Sequence, residues 1–238
     1  MIAYGQFCPV AKSMEIIGEK WTMLILRELL LGTSRFSDFQ RAISRISPTV
    51  LSKRLKMLEE KGLVVRRKGS GKDSFEYNLT PCGKELHDLL VQMAVWGMRW
   101  ARSELTDDEL DVGFLMWDIR RRILTPHLPS GETVLCFSLT NVPGHKKPMN
   151  WWYVINDKEV DLCDEDHGKD VNLYVTGPLR TLIEVVEGNR DLRKAIADDD
   201  LVLVGDRALI RSMPDWFGLS PRASVRPATQ DIEAGTAS

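Results

Sequence analysis

The sequence predicts an α+β protein of two domains. A mainly helical first domain closed by a β-hairpin covers residues 1–104, an α+β second domain covers 105–220, and a disordered tail covers 221–238. Three observations predict this. Apolar residues recur with helical spacing through the first sixty residues, then switch to the two-residue alternation of strands. After residue 130, strand-like runs dominate, joined by short helical stretches without regular βαβ alternation. Charge divides at the same place. Residues 1–104 carry 17 Lys/Arg and 11 Asp/Glu, a net of +6, whereas residues 105–238 carry 15 and 23, a net of −8. A basic first part beside an acidic second part implies a polyanionic partner for the first part alone.

Composition sets the outer limits. Hydrophobic residues make up 43% of the 238, which suits a globular core and argues against global disorder. No run of eighteen apolar residues occurs, so no transmembrane helix is expected. The start, MIAYGQFCPV, lacks a basic segment followed by a long apolar one, so no secretory signal is expected. Cys8, Cys82, Cys136 and Cys163 are scattered, with no CxxC pair, which fits a reducing cytoplasm.

In the first domain, Val10, Met14 and Ile17 predict a helix from Pro9 to Gly18. A second, strongly apolar helix runs from Trp21 to Leu31 and stops at Gly32. Thr33 or Ser34 is placed to cap a third helix, Phe36 to Ile43. A turn at Ser44 to Ser47 leads into a fourth, to about Lys61, closed by Gly62. Ser47 is its expected cap, and Pro48 suits the first helical position because its fixed φ is already helical. Leu51, Leu55 and Leu58 share one face, while Thr49, Ser52, Lys53 and Lys56 share the other. An ordinary amphipathic helix with a solvated lysine face has the same pattern, and the residues after Gly62 separate the two possibilities. Leu63 to Lys68 and Phe75 to Leu79 read as strands joined by a flexible tip at Gly69 to Ser74. A helix-turn-helix followed by a basic hairpin is the pattern of a DNA-binding wing, and double-stranded DNA is the expected partner. Ser47, Thr49, Ser52 and Lys53 are the candidate base-edge or nearby phosphate contacts. Lys56, Arg35, Arg66, Arg67 and Lys72 are the candidate phosphate contacts. Thr80-Pro81 opens a long helix to about Ser103, whose stripe of Leu86, Leu90, Met93, Gly97 and Trp100 calls for cover. A second copy in a homodimer is the simplest cover, and the second domain is the alternative.

Several separate motifs carry a family resemblance. Cys8-Pro9-Val10, GEKW at 18–21 followed by TMLILREL, Arg35-Phe36-Ser37-Asp38, Ile46-Ser47-Pro48 with VLSKRLKMLEEKGLVVR, and Tyr77 to Gly83 occur in this order. Over about residues 6–103 the chain resembles the HxlR-type winged-helix transcriptional regulators. The resemblance implies a dimeric operator-binding protein whose N-terminal and long C-terminal helices make the subunit contact. Many members carry proline at the wing tip, where this chain has Gly69-Ser70-Gly71. Some members use the cysteine at the Cys-Pro-Val position to sense oxidants or electrophiles. A thiol near a helix N-terminus is also the more reactive kind. Cys8 is therefore a candidate redox residue, against the alternative of a small side chain packed at the domain edge.

The second domain starts at a joint, Leu105 to Glu109, where Thr106 and Glu109 have the spacing of a capping box and predict a helix. Arg120, Arg121 and Arg122 fall in its last turns and are expected to face solvent near the negative end of the helix dipole. Strands are predicted at 133–140, 150–156, 158–163, 171–176 and 201–206. Helices are predicted after Gly177-Pro178, at 191–197 and at 207–217. The segment DVNLYVTGPL at 170–179, the helix through Ile183 to Gly188, and LVLVGD at 201–206 resemble the sterol-carrier-protein-like fold over about residues 107–218. That resemblance implies a domain able to hold a lipid-like or other apolar ligand, a candidate small-molecule effector, or alternatively one that serves as a dimer scaffold. Phe137, Trp151, Trp152, Tyr153, Trp216 and Phe217 are the candidate pocket residues, with plain core packing as their alternative.

No G-x-S-x-G, P-loop, H-E-x-x-H or G-x-G-x-x-G motif occurs, so no catalytic site is expected, and no cofactor either. Cys163 and His167 lack a second pair of ligands, and the acidic run around Asp164 and Asp166 lacks a terminal bidentate Glu. No metal is expected. The leading expectation is a dimeric cytoplasmic transcriptional regulator. Its rivals are a redox-responsive repressor acting through Cys8 with the second domain as scaffold, and a carrier of hydrophobic ligands.

Overall fold

The computed structural model describes residues 3–69, 74–101 and 105–228. The chain divides into two compact units, Met1–Trp96 and Gly97–Ser238. The division falls before the joint expected at residue 105. It lies where an α-helix passes into a π-helical turn at Gly97–Ala101.

The first unit opens with α1 (Pro9–Ile17) and α2 (Thr22–Leu30), followed by α3 (Phe36–Ala42) and α4 (Pro48–Glu60). Its core is made by Ile25, Leu26, Phe39, Leu51, Leu55 and Leu58, all fully buried. Burying each such side chain contributes roughly 1.5–3 kcal/mol before chain entropy is subtracted. The cap of α3 differs from expectation. Arg35 occupies the cap position with no side-chain cap bond. Thr33 is buried instead, and its hydroxyl donates to the Glu28 carboxylate at 3.1 Å. That carboxylate is fully buried and also meets the Arg27 guanidinium at 2.8 Å. A buried charge needs such partners, and supplying them took the hydroxyl away from the helix end.

Strands β1 (Val64–Lys68) and β2 (Phe75–Leu79) pair antiparallel, from Val64 opposite Leu79 to Lys68 opposite Phe75. The long helix expected from Pro81 to Ser103 is broken. A single turn, α5 (Pro81–Lys84), is capped by Thr80, whose Oγ1 accepts from Gly83 N and donates to Gly62 O at 2.7 Å. Then comes α6 (His87–Trp96) and the π turn, and Ser103 lies outside the described residues. The Thr80 hydroxyl ties the start of α5 to the end of α4, and Glu85 and Leu86 form a turn between α5 and α6.

The second unit places α7 (Val112–Arg120) ahead of β3 (Glu132–Thr140), β4 (Met149–Asn156), β5 (Glu159–Cys163) and β6 (Leu173–Pro178). Then follow α8 (Leu179–Val186), α9 (Leu192–Ala197), β7 (Val202–Gly205) and α10 (Arg207–Trp216). The five strands form one sheet in the order β5-β4-β3-β6-β7, with β3 and β6 parallel and the other pairs antiparallel. The capping box is present, since the Glu109 carboxylate accepts from the Thr106 amide and hydroxyl, both at 2.8 Å. Those bonds hold Glu109 below its usual pKa. Yet only a 3-10 turn, Asp107–Glu109, follows, and the helix starts later, capped by Asp111. The three arginines are not a solvated cluster. Arg120 donates to Val160 O and stacks over Trp117 at 4.8 Å, and Arg122 pairs with the buried Asp118 at 2.7 Å and donates to Leu219 O. Residues 221–228, expected to be disordered, form turns that bury Ala228, and residues 229–238 lie outside the described set.

Candidate nucleic-acid interface

Helix α4 is built as its sequence requires. The Ser47 hydroxyl accepts from Val50 N at 3.3 Å, satisfying a backbone donor that the helix itself leaves free, and Pro48 follows at the first helical position. Leu51, Leu55 and Leu58 hold its back against the core, so Ser47, Thr49, Ser52, Lys53 and Lys56 are all exposed together on its front. Lys56 lies 3.8 Å from Glu60, both well exposed. A pair of that kind is worth little and leaves the ammonium available.

The hairpin adds a second basic element. Arg66, Arg67 and Lys68 are exposed on β1, and Lys72 lies outside the described residues. Successive strand residues point to opposite faces. Arg66 therefore shares a face with Val64 and, across the ladder, Tyr77, which packs edge-on against Phe39 at 6.4 Å. Its guanidinium carbon lies over the Phe75 ring, 3.6 Å from the centroid. Arg67 is on the opposite face of the strand. Ser34 and Arg35 extend the hairpin on its other edge, through the Tyr77 N to Ser34 O bond and a bridge between Arg35 and Glu76. Arg35 Nε is 3.8 Å from the Glu76 carboxylate, again an exposed and weak pair. An open cleft of about 430 Å3 is lined by Leu29, Thr33, Ser34, Arg67, Tyr77 and Lys84, among others.

The expected pocket residues of the second unit do not come together as one lining. Phe137, Tyr153, Trp216 and Phe217 pack on one another, with ring centroids 5.3 Å apart for Phe137–Tyr153 and 6.3 Å for Phe137–Phe217. All four are buried, and the Tyr153 hydroxyl donates to Met116 O on α7 at 2.8 Å. Burial pushes its pKa well above the ordinary phenol value. Trp151 stands opposite Phe137 on the same sheet face, whereas Trp152 stands opposite Cys136 and Cys163 on the other. Burial raises the Cys136 thiol to about 11, with the Asp166 carboxylate adding to the shift. At pH 8 that leaves about one thiolate in a thousand, so Cys136 is expected to resist iodoacetamide in the folded protein while exposed Cys82 reacts. Mass spectrometry of the labelled peptides checks this, and equal labelling of both would contradict the burial. Cys8 sits at the N-terminus of α1, half-buried, as a free thiol. Among the described residues, no group of three or more His, Cys, Asp or Glu side chains is arranged to hold a metal ion.

Sequence reasoning missed Arg54 and Phe75, which bear on this surface without standing in its front row. Phe75 reads as an ordinary strand residue, and Arg54 as one more cation on a basic helix.

A helix-turn-helix followed by an antiparallel two-stranded hairpin defines the winged-helix class. The chain belongs to the HxlR-like helix-turn-helix family, whose model matches residues 16–105, and the SCP-2 sterol transfer family matches residues 125–217. Over 105 residues it is 36% identical to the uncharacterized HTH-type transcriptional regulator YvaP of Bacillus subtilis, covering 43% of this chain and 97% of that protein. Over 89 residues it is 42% identical to the uncharacterized HTH-type transcriptional regulator Rv3095 of Mycobacterium tuberculosis, covering 37% of this chain. The match spans 56%, about half, of that relative's length. Among solved structures, the oxidized form of the redox regulator HypR is 30% identical, with 41% of this chain and 100% of that chain covered at a TM-score of 0.38. Among the described residues, no helix is long and apolar enough to cross a membrane.

Proposed function

We propose that this chain is a dimeric transcriptional regulator that binds operator DNA through α4 and the β1–β2 hairpin. The observation that carries the reading is the exposed front of α4, where Ser47, Thr49, Ser52 and Lys53 stand together near the helix N-terminal end. A helix of this kind fits the major groove, and its N-terminal residues reach base edges. Arg35, Lys56, Arg66, Arg67 and Lys72 supply the phosphate contacts in this reading. A homodimer is supported by exposed apolar side chains in the first unit: Phe7 is 99% exposed, Val10 70% and Trp96 61%, with Met14, Leu89 and Met93 also exposed. Exposed side chains this apolar call for cover, and a second copy brings the second half-site. The second unit is proposed to take an apolar effector, on the strength of its sterol-transfer match. The effector then shifts DNA affinity by binding two states of the dimer unequally.

The test is fluorescence anisotropy of the full chain on a duplex enriched from random DNA by the protein itself, beside a scrambled duplex, across a salt series. Preference for the enriched duplex with steep salt dependence supports the reading, and failure to enrich any sequence overturns it. Titration with a fluorescent fatty acid addresses the second unit. Saturable binding that changes DNA affinity supports an effector, and no binding leaves that unit as scaffold. Cys8→Ser is expected to leave DNA affinity within about twofold, with or without peroxide, because a half-buried surface residue makes small contributions. A response to peroxide that the variant loses moves the regulation to Cys8.

A further inference from the structure

We infer that Arg54 is a positioning residue for DNA recognition, latching α4 to the elbow between α1 and α2; the inference rests on the winged-helix reading above. The elbow is the segment Gly18-Glu19-Lys20-Trp21. It is tightly constrained. A Cβ on Gly18 would meet Met14 O at 2.5 Å, so only glycine fits there. Trp21 follows with φ of 78°, a left-handed backbone that a bulky residue adopts only when its surroundings hold it there.

Arg54 reaches this elbow from α4, 34 residues away. Its Nε donates to Lys20 O at 3.1 Å, and its Nη1 forms an ion pair with the Glu19 carboxylate. The two side chains are 14% and 20% exposed, so this pair is less screened than the pairs at Arg35 and Lys56. The guanidinium thus makes two directional bonds to two different groups of one rigid turn. Lysine carries its three donors on one compact charge at the end of a flexible stem, without the fixed planar fork that meets both groups in one geometry.

Packing of the leucine back seats α4 on the core, and the bonds of Arg54 add a directional restraint on its rotation about the helix axis. Arg54 sits between Lys53 and Leu55, at the border of the exposed front and the buried back. Pinning it sets the rotation at which Ser52, Lys53 and Lys56 are presented. Base readout depends on side chains arriving within hydrogen-bond distance of base edges, whereas charge attraction to phosphates tolerates small rotations. The latch therefore acts on specific binding and spares non-specific binding. The elbow also continues from α1, where Val10 and Met14 are exposed for the proposed subunit contact.

The experiment compares wild type, Glu19→Gln and Arg54→Lys in the full chain, on the enriched and the scrambled duplexes, with circular dichroism melts to confirm folding. Glu19→Gln removes a negative charge. Long-range electrostatics alone would strengthen binding to every duplex. The latch predicts the opposite for the enriched duplex, a loss of about fivefold, the size expected for a weakened charge-assisted bond. Scrambled-duplex affinity is predicted to stay equal or rise. Arg54→Lys keeps the charge and is predicted to lose specific affinity as well. Enriched-duplex binding by Glu19→Gln at or above the wild-type level overturns the inference, as does full activity of Arg54→Lys. Failure of the wild type itself to prefer any duplex overturns the underlying reading, and that outcome is read independently of both variants.

Discussion

Replacing Phe137 by alanine is expected to lower the stability of the second unit by about 3–5 kcal/mol, the cost of deleting a fully buried ring. The ring stands edge-on to Tyr153 and stacks on Phe217, which itself meets Trp216 edge-on. Removing it leaves a hole bordered by β4 and the end of α10, and neither can collapse freely. The Tyr153 hydroxyl is tied to Met116 O on α7, and Phe217 N is tied to Met213 O. Domains of this size are stable by roughly 5–15 kcal/mol, so the variant stands near the edge of folding. Urea or thermal denaturation checks the magnitude. A loss under about 1 kcal/mol would mean that the ring borders an open cavity, since a side chain with little packed around it loses little when truncated. The same measurement therefore separates a packed core from a preformed ligand cavity.

Lys53→Ala is expected to weaken binding to the enriched duplex by about 1–3 kcal/mol per half-site, a change doubled in a dimer. The substitution removes an exposed side chain and touches none of the buried leucines of α4, so stability should not change. Two signatures tell its role apart. Loss of a phosphate contact weakens all duplexes and reduces the slope of log affinity against log salt by about 0.9 for each contact. Loss of a base contact relaxes sequence preference and leaves that slope in place. Anisotropy titrations at several salt concentrations read both. Unchanged affinity removes Lys53 from the interface and shifts the weight to Ser47, Thr49 and Ser52.

The contrast between these two predictions reflects how far each site was legible from the chain. The front of α4 depends on relations within four residues. Ser47 caps because its hydroxyl meets the amide of Val50, and the leucines share a face because of helical spacing. The six candidate pocket residues of the second unit were equally visible as a set, but not as a placement. Trp151 and Trp152 are adjacent in the chain and lie on opposite faces of the sheet because β4 alternates. Which face is covered depends on helices that arrive from elsewhere in the sequence. The arginines at 120–122 show the same limit, since their partners at Val160, Asp118 and Leu219 include two far away in the chain.

By itself, the sequence determined the two-part organisation, the basic and acidic halves, the capped helix with its leucine back, and the two strands of the hairpin. Each follows from local periodicity, turn chemistry or summed charge, and none needs knowledge of what packs on what. The tertiary structure decided the rest. It interrupted the expected long helix at Glu85 and Leu86, between α5 and α6. It drew Thr33 away from a helix end to the buried Glu28 carboxylate. It brought Arg54 to Glu19 and Lys20 across 34 residues. Such contacts follow from polar groups that must find partners once the apolar faces have closed. Periodicity names the face that closes, and only the closed fold shows which donor then lies within reach of which acceptor.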